Sequence, residues 1–461
     1  MEQKIFKVEY TSPLGPIPID WPLVRLKDIT SKIGSGATPQ GGQRVYLPYR
    51  QHYALIRSQN VFDRYFNREG LVFILDEHAA QLQGATVQSG DILLNITGDG
   101  VTFGRASLAP LDILPACVNQ HVTIIRPIPE FCSSGYLLSY LTHPLIKKYI
   151  ESFDSGGSRR AITKGHIENF EIPLPSLSEQ QAIATILGSL DSKIELNRQM
   201  NETLESMARA IFKSWFVDFD PVQAKMEGRE PYGMDAETAT LFPDSFQDSV
   251  LGDIPKGWKV DSIGDVIKVV GGSTPGTKNP AYWENGSIHW ATPKDLASLS
   301  SPVLLDTERC ITELGLQQIS SGLLPKGTVL LSSRAPIGYL AITEIPIAIN
   351  QGFIAMGCDS VLPNHYVLHW LKENMSIIEG RANGTTFQEI SKANFRPIPI
   401  IIPPNNILER FDNLASVCHK QIVNNLKESH TLTTIRDTLL PKLLSGEIRV
   451  KDAEKYADAY L

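Results

Sequence analysis

An internal repeat constrains the fold of this 461-residue chain more than any other feature of its sequence. The repeat spans about 230 residues and occurs twice, and its landmarks keep the same order in both copies. With the second copy in parentheses, the landmarks are Trp21 to Ile29 (Trp258 to Val266), Gly34 to Pro39 (Gly271 to Pro275), Asn119-Gln120 (Asn350-Gln351) and Ile162 to Lys164 (Ile390 to Lys392). We therefore expect two similar domains in one chain.

The end of each copy predicts a long helix. From Leu187 to Trp215, and again from Phe411 to Leu443, the apolar positions step by three and four residues, which is a heptad seam. Ile194 and Ile422 are 228 positions apart, and the other seam residues keep this offset. The residues expected to pair the helices are Leu190, Ile194, Asn197, Leu204, Ile211 and Trp215 in the first helix, and Ile422, Asn425, Leu432, Leu439 and Leu443 in the second.

Polar residues in the middle of the seam favour pairing of the two helices. Asn197, Asn201, Asn425 and Ser429 occupy seam positions, where polar side chains fix register at some cost in stability. An antiparallel pair would place the two domains at opposite ends, related by a pseudo-two-fold axis. The alternative is that each helix only covers its own globular domain.

The blocks before each helix predict α+β domains. Short β-rich segments bounded by Gly or Pro, such as 91–97 and 328–333, precede one predicted helix in each block, at 134–151 and 365–379. The predicted segments are 1–175 (first α+β domain), 176–219 (first long helix), 220–257 (acidic connector), 258–403 (second α+β domain), 404–446 (second long helix) and 447–461 (C-terminal tail).

Charge and cysteine content narrow the function classes. Residues 1–175 carry 17 basic and 16 acidic side chains and residues 258–403 carry 11 and 12, so charge alone gives no support for a nucleic-acid partner. The five cysteines contain no CxxC pair, so neither a metal site nor a disulfide framework is predicted. No apolar run is long enough to span a membrane and Met1 to Lys4 does not open a signal peptide, so a cytoplasmic location is expected.

Catalytic motifs fail in their context. Gly98 to Gly104 follows a strand like a nucleotide-binding loop, but Pro110 prevents the helix that must follow. His365 and His369 are four residues apart without the glutamate of a zinc-protease motif. The sequence therefore predicts no catalytic residue, no metal ligand and no cofactor in this chain.

Polar and cationic loops remain as candidate binding elements. Arg57 to Asn60 and Thr292 to Asp295 follow equivalent strands, and Arg, Gln and Asn can pair with base edges in the major groove of DNA. The complete set of candidate DNA contacts is Arg57, Ser58, Gln59, Asn60, Arg105, Ser158, Arg159, Arg160, Lys164, Thr292, Lys294, Arg334, Arg381, Asn383, Thr385, Thr386 and Lys392.

The chain resembles the specificity subunits of type I restriction–modification systems over nearly its whole length. The resemblance is carried by Trp258 to Asp265, the turn at 271–275, Asn279 to Trp283, Ile211 to Pro221 and Leu439 to Glu447. It implies two target-recognition domains that each read half of a bipartite, asymmetric site in double-stranded DNA, held apart by antiparallel helices.

The resemblance also implies partners. Two methyltransferase subunits would dock on the helices and restriction (motor) subunits would join for cleavage, with S-adenosylmethionine, ATP and Mg held only by these partners. Two other hypotheses remain open from the sequence: a two-armed protein–protein scaffold that binds no nucleic acid, and a methyltransferase half that has lost its methyl-donor site.

Overall fold

The computed structural model describes residues 11–99, 101–153, 160–334, 336–358, 361–384 and 388–450. The chain divides into two compact units, the first formed by 1–196 with 427–461 and the second by 197–426. Both boundaries lie inside 40-residue helices, Leu177–Phe216 and Asn405–Leu444. The predicted segments keep the two long helices separate from the domains. In the structure, one half of each helix packs into the core of the first unit and the other half into the core of the second.

The first unit contains fifteen short strands among its described residues, together with four short helices and the start of a long one. The strands are β1 Thr11–Ser12, β2 Gly15–Pro16, β3 Leu23–Arg25, β4 Thr30–Ser35, β5 Tyr53–Ile56, β6 Val61–Phe62, β7 Tyr65–Phe66, β8 Val72–Ile74, β9 Ile92–Asn95, β10 Thr97–Gly98, β11 Ala106–Leu108, β12 Ala116–Val118, β13 Val122–Pro127, β14 Arg160–Ala161 and β15 Glu171–Pro173. The helices are α1 Asp76–Ala80, α2 Ser134–Leu141, α3 Pro144–Ser152, α4 Lys164–Glu168 and α5 Leu177–Phe216.

Two sheets organise the first unit. One has the strand order β11-β9-β13-β4 and is antiparallel; the other has the order β12-β5-β8, in which β12 and β5 run parallel. Strands β9, β12 and β5 are apolar and fully buried over most of their length, so they form the core between the sheets and the helices.

The second unit contains the remaining elements. They are α6 Asp220–Met226, α7 Ala236–Leu241, β16 Phe246–Gln247, β17 Ile254–Pro255, β18 Lys259–Ser262, α8 Ile263–Val266, β19 Lys268–Val270, β20 Ile288–Ala291, α9 Pro293–Ala297, β21 Val303–Leu304, β22 Arg309–Ile311, α10 Glu313–Leu316, β23 Val329–Ser333, β24 Ile337–Thr343, β25 Ala348–Ile349, β26 Phe353–Gly357, α11 Asn364–Glu373, α12 Met375–Gly380, α13 Lys392–Phe395, β27 Pro399–Ile402 and α14 Asn405–Leu444.

The second unit repeats the topology of the first. Its larger sheet has the order β19-β26-β23-β24-β21, and its smaller sheet has the order β22-β20-β25 with β20 and β25 parallel. The first four strands of the larger sheet match β4-β13-β9-β11 of the first unit, and the parallel pair matches β5 and β12. The predicted duplication of an α+β domain is confirmed.

Each of the two predicted domain helices is divided into two shorter ones. The first breaks between α2 and α3, where Pro144 occupies the first helical turn and the His143 ring accepts a hydrogen bond from Leu145 N at 3.1 Å. The second breaks between α11 and α12 at Asn374, whose side chain donates to Trp370 O at 2.9 Å. The predictions of single helices at 134–151 and 365–379 are therefore wrong.

The segment predicted as a connector contributes to the second core. Val222 of α6, Phe242 and Ile254 are buried together with Trp258. The Phe242 ring meets Trp215 of α5 edge-on at 5.3 Å between ring centroids. Residues 220–257 therefore form part of the second domain and do more than route the chain.

The two long helices are antiparallel within each unit. In the first unit, α5 residues Asp191 and Lys193 pair with Arg436 and Glu428 of α14. In the second unit, Asn197 donates to Asn425 O, and the Phe212 and Phe411 rings lie 5.7 Å apart. The partner's number falls in α14 as the number rises in α5, so the predicted antiparallel orientation is confirmed.

The long helices also pack on the globular parts. Leu190, Leu439 and Leu443 lie in or against the core of the first unit, and Ile211 and Trp215 do the same in the second. Leu204 packs with Ile422 against Val303, while Ile194 and Leu432 are half-buried. The two long helices therefore pair with each other and also cover the domains, so the two alternatives considered above both hold.

Candidate nucleic-acid interface

In each unit, the predicted binding loop leaves the end of one strand of the parallel pair. Strand β5 is followed by Arg57 to Asn60, and β12 is followed by Asn119, whose N–H donates to Ile56 O at 3.0 Å. In the second unit β20 is followed by Thr292 to Asp295, and Asn350 N donates to Ala291 O at 3.1 Å. Because carboxyl ends of parallel strands meet at one sheet edge, the candidate loop and the repeated Asn-Gln segment are neighbours.

The two repeated turns are joined in the same way in both units. Thr38 Oγ1 donates to Gln120 Oε1 at 2.5 Å, and Thr274 Oγ1 donates to Gln351 Oε1 at 2.5 Å. All four side chains belong to exposed residues. We call each pair a Thr–Gln clip. The sequence contained the signal for it, since both motifs are landmarks of the repeat, but none of these four residues was among the predicted contacts.

Glycines permit the close approach that forms each clip. A Cβ on Gly36 would lie 1.7 Å from Val118 O, and one on Gly272 would lie 1.9 Å from Ile349 O. The space for a side chain is filled by the backbone of the strand that ends at the Asn-Gln segment. Only glycine fits there.

Asn60 is the clearest correction among the candidate DNA contacts. It has no exposed surface, its Nδ2 donates to Asn67 O at 3.0 Å, and its Oδ1 accepts from Arg57 N at 3.0 Å. This side chain caps a short 3-10 turn and cannot reach a base edge in this conformation, so its prediction as a contact is wrong.

The neighbouring residues of the first loop are accessible. Gln59 is exposed and Ser58 is half-buried. The Arg57 guanidinium donates to Gly70 O at 2.5 Å and lies over the Tyr46 ring. These contacts order the arginine while part of its side chain stays exposed.

The other candidate cations of the first unit that the structure describes lie against partners. Arg105 stacks over the Phe62 ring at 4.3 Å, Arg160 pairs with Glu151 at 2.6 Å, and Lys164 pairs with Glu168 at 3.5 Å. Pairing of β10 with β14 places Arg160 beside Gly98. Ser158 and Arg159 lie outside the described residues.

In the second unit several candidates have structural roles. The Thr292 hydroxyl donates to Asp295 Oδ2 at 2.8 Å and caps α9. Lys294 pairs with Glu308 at 2.7 Å, and this hydrogen bond raises the pKa of the lysine. Arg334 lies 3.6 Å from Glu389.

The other candidate DNA contacts of this unit lie in or beside the segment 381–392. The backbones of Asn383 and Glu389 bond to each other, and Lys392 is exposed at the start of α13. Arg381 is half-buried and its carbonyl accepts from Asn394 Nδ2 at 3.0 Å. Thr385 and Thr386 lie outside the described residues.

The candidate loops converge in each unit. Thr97 Oγ1 and His121 Nδ1 are 2.6 Å apart. On the backbone, Ile96 N donates to His121 O at 3.0 Å and Ile162 N donates to Ile96 O at 3.0 Å. In the second unit the equivalent bonds are Ser333 N to Gly352 O at 2.8 Å and Ile390 N to Ser333 O at 3.0 Å. Each unit therefore presents one cluster of polar loops around its Thr–Gln clip.

The described residues contain no group of three or more His, Cys, Asp and Glu side chains arranged to hold a metal ion. Over the same residues no helix has the length and apolar character that crossing a bilayer requires. What the loop clusters offer chemically is hydrogen-bond donors and acceptors, with cations balanced by nearby carboxylates.

A family model described as the type I restriction modification DNA specificity domain matches residues 18–206 and 255–428. The chain belongs to this family. The resemblance noted in the sequence is confirmed: this is a DNA specificity subunit, built from two copies of the specificity domain, and not the catalytic subunit of such a system.

Known specificity subunits are similar over comparable lengths. The chain is 28% identical over 443 residues to the MjaIX specificity subunit of Methanocaldococcus jannaschii, covering 95% of this chain and 96% of that one. It is 28% identical over 408 residues to the HindI specificity subunit of Haemophilus influenzae, covering 78% and 87%. The crystal structure of an S subunit from M. genitalium covers 94% of this specificity subunit at 15% identity and a TM-score of 0.57, which supports the fold.

Proposed function

We propose that each unit reads one half of a bipartite, asymmetric site in double-stranded DNA. The observation that carries this proposal is the repeat of one strand order with different residues in the equivalent loops. Arg57 to Asn60 and Thr292 to Asp295 leave matching strands but share no residue at matching positions. Unlike loops on like scaffolds suit half-sites of unlike sequence.

The paired helices set the spacing between the half-sites and dock methyltransferase subunits, of which we propose two. Met200, Met207, Leu414 and Val417, all in the second unit, are 37%, 51%, 42% and 67% exposed. We call these four residues the apolar helix face. Large apolar side chains on a helix surface are typical of a protein interface.

The contacts of the flanking residues show that the apolar helix face points away from the globular part. Glu205 and Arg209, two positions before and after Met207, pair with Lys372 at 3.3 Å and Glu373 at 2.8 Å. A step of two residues turns a helix by about 200°, so Met207 lies on the opposite side. The same holds for Val417, because His419 bonds Glu344 at 2.9 Å.

Catalysis belongs to the partners in this proposal. Methyltransferase subunits supply adenine methylation with S-adenosylmethionine, and restriction subunits supply ATP- and Mg-dependent cleavage. This chain holds none of these cofactors. Its place is the cytoplasm, where the target DNA lies.

An electrophoretic shift assay with a DNA carrying the target tests both the DNA binding of this chain and its dependence on the methyltransferase. We expect weak binding by the chain alone, because its two domains are nearly neutral, and tight binding once the methyltransferase is added. Equal binding with and without the methyltransferase would contradict this expectation. Absence of any sequence-dependent shift with the partner present would favour the protein–protein scaffold.

Variants in the apolar helix face test docking separately. Met207→Glu with Val417→Glu should weaken co-purification of the methyltransferase, because two charges would be desolvated in the interface. Tyr232→Glu, at a fully exposed aromatic residue outside this face, is the matched control and should leave co-purification unchanged. Equal recovery from all variants would place the docking surface elsewhere.

A further inference from the structure

We propose that each Thr–Gln clip binds one backbone phosphate of the DNA, so that both units grip their half-sites through the same sequence-independent contact. This inference rests on the proposed DNA-reading function and deepens it. It assigns a phosphate contact to the pairs Thr38–Gln120 and Thr274–Gln351, which are identical in both units, and base contacts to the neighbouring loops, which differ.

The internal repeat supplies a comparison of two sequences on one scaffold. Most residues that the two turns share have a structural reason to be the same. Gly36 and Gly272 leave room for a backbone carbonyl, Pro39 and Pro275 are buried, and the side chains of Asn119 and Asn350 accept hydrogen bonds from N–H groups two residues later, at 3.0 and 2.8 Å.

The threonine and glutamine lack a comparable structural reason. Their side chains are exposed in both units, and a hydrogen bond between exposed neutral groups contributes little to folding because water competes for both partners. Identity at two exposed positions of the repeat, beside loops that differ completely, points to a ligand common to both units.

The hydrogen-bond geometry selects the chemistry of that ligand. Each threonine hydroxyl donates to the glutamine Oε1, which leaves the Nε2 amide group of an exposed residue to donate to a ligand. Gln120 Nε2 also lies 3.2 Å from His121 Nε2, and a primary amide has a second N–H to offer. Neutral side-chain donors of this kind bind phosphate oxygens in protein–DNA complexes.

A phosphate fits better than a base because the two half-sites differ in sequence. Every nucleotide presents the same phosphate, whereas a shared base contact would require a shared base. The clip is also next to the variable loop, since Asn119 N bonds the last residue of β5. Holding the backbone there would fix the register of Arg57 to Gln59 on the bases.

Charge substitution in the assembled complex with methyltransferase tests this inference. Gln120→Glu keeps the acceptor for Thr38 but replaces the Nε2 donor by a carboxylate oxygen, and the negative charge repels phosphate. We expect affinity to fall about tenfold or more, on cognate and unrelated DNA alike, with an unchanged methylated motif. Gln351→Glu should behave the same way, and Thr38→Ser, which retains the hydroxyl, should stay near wild type.

A methylphosphonate scan of the target locates the contact. In each half-site, one neutral linkage should weaken the wild-type complex and relieve the penalty of the matching glutamate variant. If no linkage does so, or if Gln120→Glu changes the methylated motif at one base, the phosphate assignment is wrong. If Gln120→Glu and Gln351→Glu bind the target as well as the wild-type complex does, the phosphate contact of the Thr–Gln clip is contradicted, whereas the proposed DNA recognition is not.

Discussion

The Nδ2 group of Asn425 donates a hydrogen bond to Oδ1 of Asn201 at 2.8 Å in the buried middle of the helix seam. Both residues are 3% exposed. Asn197, which is fully buried, donates to Asn425 O at 3.4 Å. These hydrogen bonds form only when α5 and α14 are in this register, so they specify alignment at the cost of apolar packing.

Replacing one member of this amide pair should destabilise the protein more than replacing both. Asn425→Leu leaves the buried amide of Asn201 without this donor, and we expect a loss of about 1–3 kcal/mol. The double variant Asn201→Leu with Asn425→Leu should recover part of that loss. Urea unfolding measures both values, and Asn424→Ala, at an exposed neighbour, is the control. A double variant that is as unstable as Asn425→Leu, or less stable, would contradict the register role.

A buried ion network joins the helices in the first unit. Asp191 accepts from Arg64 Nε at 2.7 Å and pairs with Arg436 at 3.0 Å, and all three side chains are less than a fifth exposed. Asp191→Ala would leave Arg64 buried without its counter-charge and Arg436 with only the exposed Asp437, so we expect a loss of about 3–5 kcal/mol in the free energy of unfolding. Glu202→Ala removes an exposed ion pair with Arg198 and should cost less than about 1 kcal/mol. Similar losses for the two variants would show that the network is not buried in solution.

The heptad seam explains why the two long helices could be predicted. Periodicity and a constant offset between Ile194 and Ile422 are visible in the sequence, whereas the antiparallel direction was implied by the family resemblance. Arg436 interrupts the apolar steps of the second helix, and it fits there because it pairs with Asp191, 245 positions away. The break of the predicted helix 134–151 at Pro144 could have been predicted from the sequence, because proline is tolerated in the first turn of a helix but not in its interior.

The candidate interface was only partly predictable. The sequence identified the right strands, since Arg57 and Thr292 both follow a strand of a parallel pair. It could not show that Asn60 is buried, because the Asn60 side chain is held inside by a hydrogen bond to the backbone of Asn67, a contact that only the folded loop creates. It also could not show that Thr38 meets Gln120, since that contact joins two turns 82 positions apart.

A buried histidine should make the second unit sensitive to acid. His369 lies between the Phe212 and Phe411 rings, near the positive charges of Lys372 and Arg209 and beside His365, and burial lowers its pKa from 6.5 to about 3. The unfolded histidine therefore takes up a proton near pH 6.5 while the folded one does not. The stabilisation is complete above that pH and is lost as pH falls toward 3, by about 5 kcal/mol over the whole range and by about 3 kcal/mol at pH 4.5.

Unfolding between pH 7.5 and 4.5 measures this loss. His369→Phe should flatten the dependence of stability on pH, whereas His430→Gln, at an exposed histidine of α14, should leave it unchanged. An unaltered pH profile in His369→Phe would show that other groups cause the acid sensitivity.

A fragment ending near residue 250 should dimerise. It lacks Leu439 and Leu443, which fill the first core, but Ile211 and Trp215 stand at the matching positions of the repeat, 228 residues earlier. A second copy can supply them through its own α5 in the antiparallel orientation. Light scattering should give twice the fragment mass, and a strictly monomeric folded fragment would contradict the equivalence of the helices.

Exchange of one domain tests the central claim most directly. Residues 258–403 are replaced by the equivalent segment of a relative with a different target, and the methylated motif is mapped by sequencing genomic DNA from cells that also contain the methyltransferase. We predict a hybrid motif in which one half changes while the other half and the spacing stay the same. An unchanged motif, or a change in both halves, would contradict the assignment of one half-site to each unit.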